Sequence, residues 1–115
     1  MRMKPEPTGP LGDMTVLELK ARIDAGDPPI IIDVREPREF QICRIPGSVL
    51  IPLAELPARI SELDPQSEVV LHCRSGGRSA QAAAFLKQRG FAHTRNLKGG
   101  VLAWIDQVDP SQPKY

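Results

Sequence analysis

Glu68-Val69-Val70-Leu71-His72-Cys73-Arg74-Ser75-Gly76-Gly77-Arg78-Ser79 passes from an apolar, β-branched run into a polar, glycine-bearing loop and then into a helical pattern. Consecutive apolar residues at 69–71 suit a strand covered on both faces, because a strand with one wet face would alternate. From Arg78 onward the period becomes helical, with Ala82, Phe85, Leu86 and Arg89 on one face and Gly90 at the expected stop. A buried strand feeding a helix through a short loop is the repeating unit of a parallel sheet. Ligands of such sheets bind beyond the carboxyl ends of the strands, which is where Cys73 falls.

The same alternation extends in both directions. Thr15-Val16-Leu17-Glu18 has the spacing of a capping box, Val16, Leu19 and Ile23 share a helical face, and Gly26 stands where that helix should end. Ile30-Ile31-Ile32-Asp33-Val34 follows Pro28-Pro29 and predicts a strand buried on both faces. Pro37 to Ile42 suits a short helix with Pro in its first turn, and Val49-Leu50-Ile51 a brief strand. Leu56, Ile60 and Leu63 recur at helical spacing with Pro57 near the helix start, Thr94 to Leu97 is a weak strand, and Val101 to Val108 a final helix. These elements predict an α/β domain with a mostly parallel sheet of four to five strands and helices on both faces. One sequence does not give the strand order.

The domain should occupy residues 14–108. Residues 1–13 contain Pro5, Pro7, Pro10, Gly9 and Gly12 and have the composition of a linker, and residues 109–115 that of a polar tail. A chain of 115 residues with 41% hydrophobic content can form one ordinary core without disulfide or metal staples. Fifteen basic residues against fourteen acidic ones, with no basic block, leave little to attract a nucleic acid. No stretch reaches the roughly 18 apolar residues of a membrane span, and Met1-Arg2-Met3-Lys4-Pro5 lacks the apolar core of a signal peptide, so a cytoplasmic location is expected. In that compartment Cys43 and Cys73 should be reduced rather than bridged.

Cys73 has two readings. A lone cysteine at a strand end is usually a small buried hydrophobe. A packing cysteine, however, has no use for the Arg, Ser, Gly, Gly, Arg and Ser that follow it. Gly76 and Gly77 should let the backbone curl so that several N–H groups converge, and the next helix adds the positive end of its dipole. Arg74 and Arg78 should supply positive charge beside the sulfur, favouring thiolate over a free cysteine's pKa of about 8.5. Cys73 is therefore expected to be a nucleophile in an anion cradle formed by Arg74, Ser75, Gly76, Gly77, Arg78 and Ser79.

This loop resembles the active-site signature of rhodanese-like domains, in which a Cys opens a six-residue loop closed by Arg and followed by Ser. Ile32-Asp33-Val34-Arg35-Glu36-Pro37-Arg38-Glu39-Phe40 resembles the first block of that family, Ile45-Pro46-Gly47-Ser48 the second, and Gly99-Gly100-Val101-Leu102-Ala103-Trp104 the closing motif. The resemblance covers about residues 14 to 108. It implies a rhodanese-like fold and a sulfurtransferase that carries sulfur as a Cys73 persulfide, with thiosulfate or a persulfide as donor and no cofactor. Where many relatives have Gly-His before Ile-Pro-Gly, this chain has Cys43-Arg44. Cys43 could therefore be a second sulfur carrier, although a partly buried packing residue is the blander reading. The proline-rich start and the ending Pro113-Lys114-Tyr115 resemble rhodanese domains attached to ubiquitin-activating-type adenylyltransferases, which implies an adenylyltransferase or a small ubiquitin-like sulfur carrier as partner.

Other residues point to support rather than chemistry. Asp33 and Arg35, at a buried strand end, should form an ion pair or hydrogen bonds that fix the loops. His72 neighbours Cys73 on a strand and must face the opposite side, and His93 should be solvated. Zinc is disfavoured because Cys43, His72, Cys73 and His93 include no pair two to four residues apart. Trp104 reads as a core anchor, and Gly76-Gly77 lacks the Lys-Ser/Thr ending of a phosphate loop. Cysteine phosphatases also use a thiolate in an anion cradle, but with five residues between Cys and Arg. This loop has four, Arg74 to Gly77, and no acidic residue to act as general acid. A non-catalytic binding module would not need Cys73, whereas a thiol redox switch would use the same sulfur.

Overall fold

The computed structural model describes residues 12–115. Of the segment read as a linker, only Gly12 and Asp13 lie within the described residues, and both are exposed. Four strands, β1 (Ile30–Asp33), β2 (Val49–Leu50), β3 (Val69–His72) and β4 (Thr94–Asn96), form one sheet in the order β2-β1-β3-β4, with every pair parallel. Met14 extends the β4 edge by a single parallel bridge to Leu97.

The described residues include five α-helices, α1 (Val16–Asp24) before the first strand, α2 (Pro37–Ile42), α3 (Leu56–Arg59) and α4 (Gly77–Gln88) between strands, and α5 (Gly100–Gln107) after the last. The Thr15 hydroxyl accepts from Glu18 N–H at 3.0 Å, which caps α1, and Gly26 follows that helix at φ +74°. The helix expected over Leu56, Ile60 and Leu63 is instead a four-residue α-helix between two 3₁₀ turns, Leu53–Glu55 and Ile60–Glu62. The steps from Leu53 to Leu56 and from Ile60 to Leu63 are three residues, which matches the 3₁₀ repeat rather than the α repeat.

Strand alternation divides the core in two. Ile31 and Val70 face one side, where they pack with Val16 and Leu19 of α1, Val101, Trp104 and Ile105 of α5, and Cys43. Ile32, Val69 and Leu71 face the other side, with Leu56 of α3, Ala82, Ala83 and Leu86 of α4, and Cys73. Each fully buried Leu or Ile contributes about 1.5–3 kcal/mol, so these two layers supply most of the drive to form the sheet. The expected helices on both faces are thus present.

The β1 end carries a buried ion pair. Arg35 and Asp33 are both fully inaccessible. Arg35 donates from Nε (2.9 Å) and Nη2 (2.7 Å) to the two Asp33 carboxylate oxygens, and from Nη2 to the Cys43 carbonyl at 2.7 Å. Its Nη1 donates to the Tyr115 hydroxyl at 3.0 Å and to the Glu39 carbonyl at 3.3 Å. Arg35 therefore caps the Cys43 carbonyl at the end of α2, adds a second donor to the Glu39 carbonyl, and neutralises Asp33.

Residues 109–115, expected as a polar tail, lie back on the domain. Gln112 pairs its side-chain amide with Arg44, accepting from the backbone N–H and donating to the carbonyl, both at 2.8 Å. Lys114 pairs with Asp106, and Tyr115 packs against the α1/α5 side of the core. Composition alone predicted solvation, but the segment is held by specific side-chain bonds. Among the described residues no helix is long and apolar enough to cross a membrane.

Candidate active site

Cys73 directly follows β3 on the α4 side of the sheet, and His72, the last residue of the strand, faces the other side, as strand alternation requires. The chain then turns through Arg74, Ser75 and Gly76 into the first residue of α4. Gly76 has φ +123°, a region L side chains rarely adopt, and this single residue turns the backbone N–H groups inward. Gly77 has no positive φ and serves only as the helix start, so the predicted glycine pair reduces to one conformational hinge.

The Cys73 sulfur is the focus of this loop. It accepts from Gly76 N–H at 3.1 Å, Ser79 N–H at 3.4 Å and the Ser79 hydroxyl at 3.4 Å. Burial pushes the thiol pKa up, but the Ser79 hydroxyl and the N–H groups of Ser79, Gly76 and Ser75 outweigh burial and leave it lowered. The sequence assigned that lowering to Arg74 and Arg78. The direction agrees, but the larger causes are the loop's own donors, with Arg78 interacting with the sulfur through charge alone.

A second contact fixes the loop from behind. Cys73 and Arg74 give their carbonyl oxygens to Val101 N–H (2.9 Å) and Leu102 N–H (3.1 Å), in the first turn of α5. Gly100 makes this approach possible, since a Cβ there would lie 2.5 Å from both carbonyl oxygens. Pinning the carbonyls outward leaves the N–H groups on the sulfur side of the loop. Ser79 is held in turn by Asn96, whose Oδ1 accepts from its hydroxyl at 2.5 Å.

The two loop arginines are already engaged. Arg78 makes paired contacts of 2.8 and 2.9 Å with the Glu39 carboxylate. Glu39 also accepts from Glu36 N–H (3.0 Å) and from the Tyr115 hydroxyl (2.5 Å). Arg78 first, then these donors against the cost of burial, hold Glu39 well below the usual carboxylate range. Arg74 donates from Nε (2.8 Å) and Nη2 to the main-chain oxygen of Tyr115, with its guanidinium 5.2 Å from the centre of that ring. Neither guanidinium contacts the sulfur, contrary to the simplest picture of a positively lined cradle. Ser75 contributes to the sulfur's surroundings through its backbone N–H.

The remaining candidates separate from the site. His72 is fully buried, its pKa pushed down to about 4 by burial first, with Asp33 opposing, so its ring is neutral and structural. His93 is exposed. Cys43 lies in the opposite core layer from Cys73, its sulfur 3.8 Å from Arg35 Nη1, and both thiols are free. Among the described residues no group of three or more His, Cys, Asp or Glu is placed to hold a metal ion. Sequence reasoning missed Glu39, Asn96 and Tyr115 as parts of the site. Only Glu39 had a local signal, its three-residue spacing from Glu36 at the start of α2.

A family model described as the rhodanese-like domain matches residues 15–107. A sulfurtransferase of Allochromatium vinosum is 38% identical over 86 residues, covering 75% of this chain and 80% of that protein. A probable adenylyltransferase/sulfurtransferase, MoeZ of Mycobacterium tuberculosis, is 38% identical over 104 residues, and there the chain spans only 26% of its relative's length. The crystal structure of a rhodanese-like domain protein from Staphylococcus aureus superposes with a TM-score of 0.78 at 28% identity, covering 90% of this chain and 98% of that one. A match of this extent, running through a loop wound around Cys73, makes the chain a member of the rhodanese-like domain family.

Proposed function

We propose that this chain is a sulfurtransferase that carries a sulfane sulfur on Cys73. The observation that carries the reading is the convergence of Gly76 N–H, Ser79 N–H and the Ser79 hydroxyl on one sulfur. A packing cysteine gains nothing from three donors, whereas a thiolate or a persulfide anion is stabilised by each of them.

Thiolate attack on the outer sulfur of thiosulfate forms the Cys73 S–S bond, breaks the donor S–S bond and releases sulfite. With a thiol persulfide, RSSH, the leaving thiolate keeps the electron pair of the broken bond and takes up the proton as RSH. Either way Cys73 gains one neutral sulfur atom as a persulfide anion, and a thiophilic acceptor such as cyanide then removes it. No metal or organic cofactor takes part in this scheme. Arg74, Ser75, Gly76, Gly77, Arg78 and Ser79 form the wall around the transferred sulfur, with Asp33 and Arg35 as buried support. The name of MoeZ motivates an adenylyltransferase or a small sulfur carrier of the ubiquitin-like kind as partner.

A phosphatase reading is not favoured. Only four residues separate Cys73 from Arg78, and Glu39, the nearby carboxylate, is held ionised by Arg78 and cannot act as a general acid. The test is intact-mass and peptide analysis after thiosulfate or glutathione persulfide treatment, together with a thiosulfate-to-cyanide assay. One added sulfur on Cys73 and cyanide-dependent turnover are expected. A phosphatase would instead hydrolyse an aryl phosphate and acquire no sulfur.

A further inference from the structure

Tyr115 ties together parts of the site that are far apart in sequence. Its hydroxyl accepts from Arg35 Nη1 (3.0 Å) and donates to Glu39 Oε2 (2.5 Å), and Glu39 holds Arg78 with its two oxygens. Its main-chain oxygen takes Nε and Nη2 of Arg74. The centre of the ring is 5.7 Å from the Arg35 guanidinium and 5.2 Å from that of Arg74. Gln112, doubly bonded to Arg44, holds the approach to this position. One residue thus occupies Arg74 directly and Arg78 through Glu39.

We propose that Tyr115 is a positioning residue that sets donor specificity, withholding the Arg74 guanidinium from free dianions as Glu39 withholds Arg78, and leaving the site to donors whose sulfane sulfur has no sulfonate attached to it, that is, persulfides of thiols. The proposal rests on the sulfur-transfer reading above. To be held by Arg74, the sulfonate end of thiosulfate must displace the Tyr115 oxygen, and to reach Arg78 it must compete with a carboxylate already paired at both guanidinium nitrogens. A persulfide requires neither displacement, because the amides and hydroxyl around Cys73 bind the transferred sulfur alone. The side-chain anchor matters most: without the hydroxyl bonds and the ring, nothing keeps the Tyr115 main-chain oxygen against Arg74.

The experiment compares full-length wild type, Tyr115→Phe and Tyr115→Ala with thiosulfate and with glutathione persulfide as donors and cyanide as acceptor. Loss of one charge-assisted competitor should raise the thiosulfate-to-persulfide ratio of kcat/KM about tenfold in Tyr115→Ala. The gain should appear as a lower thiosulfate KM, not a higher kcat. Tyr115→Phe, which keeps the ring and loses only the hydroxyl, should shift the ratio less in the same direction. A ratio that stays at the wild-type value, equal changes with both donors, or a raised thiosulfate KM would overturn the proposal. Should Tyr115→Ala lose its cooperative thermal melt, the ratio in Tyr115→Phe decides alone. Failure of the wild type with both donors would instead refute sulfur transfer itself, and the specificity role with it.

Discussion

Ser79 meets the Cys73 sulfur twice, through its backbone N–H and its hydroxyl, each at 3.4 Å, and the same hydroxyl is 2.5 Å from Asn96 Oδ1. One hydroxyl proton is shared among three acceptors, the sulfur, Asn96 Oδ1 and the Gly76 carbonyl at 3.3 Å, so Asn96, the nearest, decides most of how much reaches the sulfur. Ser79→Ala removes that donor and retains the N–H. Turnover at neutral pH should fall about tenfold, at the lower end for a hydrogen bond to a charged group because the proton is shared. The thiol pKa should rise, so the activity of the variant should recover as pH increases. A pH–rate profile with no rightward shift would show that the hydroxyl does not stabilise the thiolate.

The two cysteines should behave differently, since they occupy opposite core layers. Cys73→Ser should abolish transfer while keeping a cooperative melt. Cys43→Ala should keep most turnover and lose about 1 kcal/mol from the small space it leaves. Intact-mass analysis of the loaded Cys43→Ala protein checks both at once; a second labelled site in the wild type, or lost turnover in Cys43→Ala, would make Cys43 a relay.

Removing the carboxylate that anchors Arg78 should cost stability. Glu39→Gln removes the negative charge and one of the two acceptor oxygens that the partly exposed Arg78 guanidinium and the Tyr115 hydroxyl share, a loss of about 1–3 kcal/mol once solvent screening of Arg78 is allowed for. Because the folded-state pKa of Glu39 is depressed, its contribution is present above the ordinary value of 4.5 and disappears as pH falls through the folded value. Urea melts at pH 7 and at pH 3.5 should therefore differ less for the variant than for the wild type.

His72 should make the domain weaker in mild acid. Its pKa is about 4 in the folded protein against 6.5 ordinarily, so the unfolded chain binds the extra proton between those values. Stability is then full above pH 6.5 and lost on acidification, by about 2 kcal/mol between pH 7 and pH 5. His72→Gln should flatten that dependence, whatever its effect on stability at pH 7. An unchanged slope in denaturant titrations would refute the assignment.

Gly100 and Gly26 make a matched pair. Both have positive φ, but a Cβ at Gly26 meets nothing within 4 Å, whereas at Gly100 it strikes the carbonyls of Cys73 and Arg74. Gly26→Ala should cost about 1 kcal/mol from backbone strain alone, and Gly100→Ala about 3 kcal/mol or more with loss of turnover. Comparable melting temperatures for the two variants would mean that the α5 turn does not brace the loop.

The legible parts of this protein were those written in local pattern. The β-branched run at 30–33, the capping spacing at Thr15 and the Cys-to-Arg loop each place an element within a few residues of where it lies. The helix predicted from Leu56 was only partly legible, because helical and 3₁₀ spacings overlap over so short a span. Tyr115 was not legible at all. Its partners Arg35 and Arg74 are 80 and 41 positions away, and nothing in Pro113-Lys114-Tyr115 distinguishes a docked residue from a solvated one. The state of Arg74 and Arg78 was hidden for the same reason: charge is visible in a sequence, but the acceptor that occupies it is not.

The strand order β2-β1-β3-β4 also constrains how the domain comes into being. Parallel neighbours need a crossover, so no hairpin can form early and template the sheet, and long chain closures must precede stable pairing. During synthesis the Cys73 loop emerges before the α5 turn that braces its carbonyls and before the residue that restrains Arg74. A nascent chain therefore exposes the Cys73 thiol ahead of its supports, and the loop takes its folded shape only after the last helix has docked against its carbonyls.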